Sequence, residues 1–80
     1  MSTLAIKVEP LAVDVSCTDD SLRVVLADGR EITVPLIWSS RLQKATDEER
    51  KEWRLIGGGI GIHWEAIDED ISVESLLRLK

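Results

Sequence analysis

The stretch from Trp53 to Leu77, WRLIGGGIGIHWEAIDEDISVESLL, gathers most of the chain's unusual residues. It holds four of the five glycines, two of the three tryptophans, the single histidine and the densest run of carboxylates. Gly57-Gly58-Gly59 follows the apolar pair Leu55-Ile56, and Gly61 follows Ile60. Glycine opens φ > 0 and lets another backbone approach closely, so the segment reads as a turn, a bulge or a kinked strand. A phosphate cradle needs a lysine and a hydroxyl after its last glycine, where Ile62 and His63 stand. The spacing does not match the dinucleotide-binding fingerprint either.

The carboxylates Glu65, Asp68, Glu69, Asp70 and Glu74 raise the question of a cation site. A calcium loop requires acidic residues at alternate positions, a glycine at the sixth and a glutamate at the twelfth, and the run fails that template. Zinc calls for more nitrogen and sulfur donors than one His and one Cys supply. The expected structure is a solvated acidic turn leading into a helix N-terminus, where negative charge is favourable. Ser72 is the N-cap candidate, and Val73, Leu76 and Leu77 then share one helical face. His63 has no Ser, Cys or Lys nucleophile motif around it and reads as a hydrogen-bonded structural side chain.

Upstream of this stretch, Thr46-Asp47-Glu48-Glu49 has the capping-box pattern and starts a helix expected to run to about Trp53, with Arg50, Lys51 and Glu52 mostly exposed. Ser39 and Ser40 cap a shorter helix through Leu42 and Ala45. Further back lie three alternating apolar runs. Leu11, Val13, Val15 and Cys17 are expected on one face of a strand, with Ala12, Asp14 and Ser16 on the other. Leu22, Val24 and Leu26 form the second run, and Ile32, Val34 and Leu36 the third. Thr18 to Ser21 is turn chemistry, and Asp28-Gly29 predicts a two-residue type I′ hairpin turn. Pro35 is allowed only at a strand end or edge. Residues 1–7, with Leu4 and Ile6 before Val8, form an edge strand or a frayed arm.

The expected fold is therefore α+β, in one domain spanning residues 1–80. It comprises an antiparallel three-stranded meander, short helices on one face, an extra strand pairing around Ile60 to Trp64 and a short C-terminal helix. At 80 residues and 44% hydrophobic, the chain lies near the lower end of independent folding. A formal net charge of −5 argues against free-standing nucleic-acid binding. The single cysteine, Cys17, has no partner for an intrachain disulfide and fits a small buried position. No apolar run is long enough to cross a membrane and no signal peptide opens the chain, so the cytoplasm is the default location.

The segments LADGREITVPLIW, RLQKATDEERKEW, RLIGGGIGIHW and DEDISVESLL together resemble the small bacterial family called domain of unknown function 2442. The similarity runs from about Val8 to Leu77, and its GIHW and DEDISVE portions, Gly61 to Trp64 and Asp68 to Glu74, are the most specific. It implies a compact α+β domain, in some members fused to a helix-turn-helix, and a neighbouring partner gene of toxin–antitoxin type. The chain stops at Lys80 with no room for a helix-turn-helix, so no direct DNA binding is expected. The family supplies no catalytic residues.

Two classes of function follow. The first is a non-enzymatic interaction module, antitoxin-like or regulatory, that binds a small basic protein. Glu65, Asp68, Glu69, Asp70 and Glu74 would steer the encounter, and Trp64 or Trp53 would be a buried anchor. A homo-oligomer through the sheet edge is the fallback. The second is a small ligand-binding or hydrolytic domain using His63 with Glu65 or Asp68. A nucleic-acid accessory built on Arg41, Lys44, Arg50, Lys51 and Arg54 is weaker, because Asp47, Glu48, Glu49 and Glu52 interleave with those cations. No catalytic, metal or cofactor-binding residue is expected.

Overall fold

The computed structural model of the chain describes residues 10–78. The edge strand or arm expected at residues 1–7 lies outside them. The described chain is α+β, with β1 (Ala12–Cys17), β2 (Ser21–Leu26) and β3 (Glu31–Pro35) forming one antiparallel sheet in that order. A 3-10 turn, Leu36–Trp38, leads into the short helices α1 (Ser40–Lys44) and α2 (Asp47–Lys51). Then β4 (Trp53–Ile56), β5 (Gly61–Trp64) and β6 (Glu69–Ser72) form a second antiparallel sheet, and α3 (Val73–Arg78) follows. The extra strand pairing is thus a full three-stranded sheet. Glu69 to Ser72, expected in a solvated turn, is its outer strand.

Both sheets contribute to one core. Val15, Leu22, Val24, Leu26 and Val34 come from the first, Ile62 and Trp64 from the second, and Leu36, Leu42, Val73 and Leu76 from the connections. The period-2 pattern of β2 places Leu22, Val24 and Leu26 inward as expected. Along β1 the expected phase breaks. Ala12 and Val15 are buried while Val13 is 53% exposed. The register shifts between Ala12, opposite Leu26, and Asp14, opposite Val25. Val13 is therefore the extra residue of a β-bulge, which reverses the facing of everything before it.

The second sheet supplies the cause of that bulge. The Ala12 amide donates to the Gly59 carbonyl at 2.8 Å, so the start of β1 is tied to the glycine turn as well as to β2. A Cβ on Gly59 would lie 2.6 Å from the Ala12 carbonyl oxygen, and its φ is +111°. The glycine run is thus a turn in which one member permits contact between the two sheets.

The Asp28-Gly29 hairpin also differs from expectation. Gly29 N–H donates to the Leu26 carbonyl at 3.0 Å, and Leu26 N–H donates to the Arg30 carbonyl at 2.8 Å. Among the described residues Asp68 is the sole non-glycine with positive φ, so Asp28 has negative φ and only Gly29, at +94°, is left-handed. That is a three-residue loop, a type I turn closed by a glycine bulge, and not a type I′ turn. Asp28 Oδ1 accepts from the Arg30 amide at 3.0 Å and stiffens it.

The helical connection follows local capping chemistry. Ser39 Oγ accepts from Leu42 N–H, and Thr46 and Glu49 form the reciprocal capping box. The second helix ends at Lys51, short of the expected Trp53. Trp53 instead pairs directly opposite Trp64 as the first residue of β4. Arg50, expected on the exposed face, has a side chain only 10% exposed. Its Nε and Nη2 each donate at 2.9 Å, to the Leu42 and Gln43 carbonyls in the last turn of α1. Two helices too short to persist alone are thereby locked to each other.

Candidate functional site

The second sheet organises the acidic segment. In the β5–β6 register Trp64 lies opposite Glu69, His63 opposite Asp70 and Ile62 opposite Ile71. Alternation then sorts the side chains. Ile62 and Trp64 point into the core and are fully buried, while His63 lies on the outer face beside Arg54 and Asp70.

Trp64 is consequently a core residue. Its relative exposure is 0% and its indole N–H donates to the Arg50 carbonyl at 3.1 Å. This corrects the expectation of a tryptophan anchor for a partner at that position, since no ring surface is presented. Trp53 is half-buried against the same core.

His63 is clasped on both sides. Nδ1 bonds to Asp70 Oδ1, and Nε2 bonds to Glu65 Oε1 at 3.0 Å, with the imidazole side chain 13% exposed. Ionised carboxylates only accept, so both contacts are satisfied together when both ring nitrogens carry a proton, and the clasp favours the imidazolium. The Asp70 hydrogen bond raises the His63 pKa, burial opposes it, and the Glu65 bond adds to the rise. Arg54 Nη2 approaches Glu65 at 3.5 Å on the same outer face. A histidine with both nitrogens engaged has no lone pair for abstracting a proton. Of the two acids expected beside His63, Glu65 is in contact and Asp68 is not, and Asp70 takes the second position.

The other predicted acids have separate fates. Asp68 has φ +52° in the turn between β5 and β6, and its carboxylate is 92% exposed. Its carbonyl accepts from Arg41 Nη1, whose nearest approach to the carboxylate is 4.0 Å. Glu74 faces solvent on α3 and pairs with Arg78 at 3.5 Å. Glu69 reaches inward: Oε2 accepts from Ser39 Oγ at 2.6 Å and Oε1 from the Asp70 amide at 3.2 Å. Glu65, Asp68 and Glu74 are therefore dispersed, and only Glu69 and Asp70 border a common cavity.

That cavity is a groove of about 550 Å³ lined in part by residues of the two outer strands β3 and β6. Leu22, Leu36, Leu42 and Leu76 form its floor, and Trp38 walls one side. All four residues of β6 border it, with Ser39 and Ser75 at its margin. Its two charged lining residues, Glu69 and Asp70, are both acidic. Trp38 is 51% exposed, and its neighbour Ile37 is more exposed still. The sequence carried a signal for this pair. Three apolar residues, Leu36-Ile37-Trp38, occupy one turn between Pro35 and a capping serine, and a single turn buries only one of them.

The basic residues considered for nucleic acid are largely committed. Arg50 holds the end of α1, Arg54 meets Glu65, and Arg41 holds the Asp68 carbonyl. Cys17 is half-buried beside Trp53 and Arg50, and burial raises its thiol pKa, with Arg50 opposing. Among the described residues no three His, Cys, Asp or Glu side chains converge as a metal site, and no helix is long and apolar enough to cross a membrane.

The chain belongs to the family described as "Protein of unknown function (DUF2442)", which it matches over residues 12–80. No curated protein matches it. It is similar to the crystal structure, at 2.75 Å resolution, of a protein of unknown function from Rhodospirillum rubrum ATCC 11170. The identity is 28%, the match covers 86% of each chain, and the TM-score is 0.74.

Proposed function

We propose that this domain is a non-enzymatic interaction module that binds a basic protein in the groove between β3 and β6. It acts as the antitoxin-like or regulatory member of a two-protein pair. The observation that carries this reading is the half-exposed Trp38 beside an apolar floor whose charged lining is wholly acidic. Exposed aromatic and aliphatic side chains around a concavity are the usual anchors of an interface. Acidic groups at the margin favour a cationic partner and speed its approach. The net charge of −5 acts in the same direction. The setting of His63 favours binding over hydrolysis, because both ring nitrogens of the single histidine are engaged by carboxylates.

The test is co-purification from the native host with wild-type chain and Trp38→Ala as baits. Trp38 is a surface side chain, so the variant should keep the wild-type melting temperature. It should lose the co-purifying protein through faster dissociation. Retention of the same partner at the same affinity by a folded Trp38→Ala variant would remove the groove from consideration.

A further inference from the structure

We propose that the groove takes its partner as an added β-strand: a short extended segment with alternating apolar and cationic residues, laid along the open edge of β6. This rests on the interaction reading above and specifies its geometry. The ladder phase carries the inference. Val73 N–H donates to the Ile60 carbonyl at 2.9 Å, so Ile60–Val73 is a hydrogen-bonded pair of the antiparallel ladder. Such pairs alternate with non-hydrogen-bonded ones. Ile62–Ile71 and Trp64–Glu69 are therefore bonded, whereas Gly61–Ser72 and His63–Asp70 are not. The backbone groups of Asp70 and Ser72 consequently point away from β5, toward the side of the sheet that is free of a further strand among the described residues.

That free side is the groove. Successive side chains of a strand point to opposite faces, so a cavity on one face touches every second residue. Here four consecutive residues, Glu69 to Ser72, border the cavity, as expected when the strand presents its edge. The edge is blunted at one end, where Arg41 occupies the Asp68 carbonyl. At the other end the Ser72 side chain caps α3 through the Ser75 amide at 3.1 Å. Between them the Asp70 amide is covered only by the 3.2 Å contact to Glu69 Oε1, a side chain that can swing aside. The Asp70 N–H and C=O and the Ser72 N–H thus form a short template for strand addition.

The same geometry sets the chemistry of the occupant. Side chains on the inward face of the added strand meet Ile71 and the half-exposed Trp38 above buried leucines, which favours apolar ones there. Alternate ones lie on the outer face beside the exposed Asp70 carboxylate, which favours lysine or arginine. A second copy of this chain is disfavoured, because antiparallel pairing of two β6 edges would bring their acidic residues together.

The experiment uses isotope-labelled full-length chain and, as probe, a blocked synthetic peptide of alternating valine and lysine. Two further peptides carry N-methyl groups on every valine or on every lysine, since an added strand uses only one of these amide sets. The expected result is saturable binding that shifts the Trp38 indole resonance and slows amide exchange at Asp70 and Ser72 at least tenfold. One N-methylated peptide should lose binding while the other retains it. Asp70→Asn, which removes the outer-face charge and keeps the strand backbone, should weaken the peptide by about two- to fivefold. Equal behaviour of the two methylated peptides overturns strand addition, as does a Trp38 shift without protection of Asp70 and Ser72. In those cases the groove remains a binding site, and the interaction reading stands or falls with the Trp38→Ala co-purification. Absence of saturable binding, or self-association of the chain through β6 instead, also overturns the proposal.

Discussion

Trp64 donates its indole N–H to the main-chain carbonyl of Arg50 at 3.1 Å, joining the central strand of the second sheet to the helix preceding it. The same arginine closes the end of α1 with its guanidinium, so one residue ties together α1, α2 and β5. Trp64→Phe keeps most of the apolar volume but leaves the Arg50 carbonyl without its donor, at a cost of about 1–3 kcal/mol. Trp64→Ala adds a large cavity and should cost about 3–5 kcal/mol. A domain of this size has a total stability of about 4–12 kcal/mol, so the alanine variant should be largely unfolded under mild denaturant. Urea midpoints decide the matter. A phenylalanine variant as stable as wild type would show that the hydrogen bond contributes nothing.

Gly29 and Gly59 both have positive φ but should respond differently to a side chain. Around Gly29 a Cβ meets nothing within 4 Å, so Gly29→Val suffers backbone strain alone, about 1 kcal/mol or more. At Gly59 the Cβ would strike the Ala12 carbonyl at 2.6 Å, and that backbone is bonded to Gly59 itself. Gly59→Ala should therefore be the more damaging by about 2 kcal/mol, despite its smaller side chain. Denaturation of the two variants in parallel gives the ranking, and the reverse order would contradict the contact between the sheets.

The clasp on His63 predicts a pH-dependent part of the stability. Its folded pKa is raised above the unfolded value, chiefly by the Asp70 hydrogen bond, with Glu65 assisting and burial opposing. The proton is then bound more tightly in the folded state. The contribution is complete below the unfolded pKa of about 6.5 and fades as pH rises through the folded value. The stability difference between wild type and His63→Gln should shrink over that upward interval. Titration of the His63 ring resonance should give a midpoint above about 6.5. A midpoint below that value would argue against the doubly bonded imidazolium.

Asp68 should behave as a turn residue and not as a charge. Asn adopts the left-handed conformation about as readily as Asp, so Asp68→Asn should change stability by less than about 0.5 kcal/mol. Asp68→Val forces a β-branched side chain to φ +52° and should cost about 1–2 kcal/mol. Partner affinity should be unchanged in Asp68→Asn and reduced in Asp70→Asn, which separates the exposed turn from the groove. Equal loss of affinity in both would mean that the acidic segment acts only through its total charge.

Much of the local structure was legible from neighbouring residues. The Thr46–Glu49 box, the Ser39 and Ser72 caps and the edge position of Pro35 all formed as their chemistry requires. Each depends on groups within three or four residues, or on the missing amide of proline, so no distant contact could override it. The α+β class followed from the switch between two-residue and helical periodicity.

Tertiary structure decided the phase, the depth and the company of the side chains. Alternation in Leu11 to Cys17 specified a strand, but the bond from Ala12 to Gly59 introduced the bulge that exposes Val13. A tryptophan in GIHW and another in LIWSS look alike in sequence. Pairing with Glu69 on the inward face buries Trp64, while a single turn after an edge strand leaves Trp38 half outside. The partnership of His63 with Asp70 in place of Asp68 depends on the register of β6, which the acidic run does not encode. A local pattern specifies which residues repeat on a face. Which face is inward depends on hydrogen bonds and packing between segments far apart in the chain, and those form only once both sheets are in place.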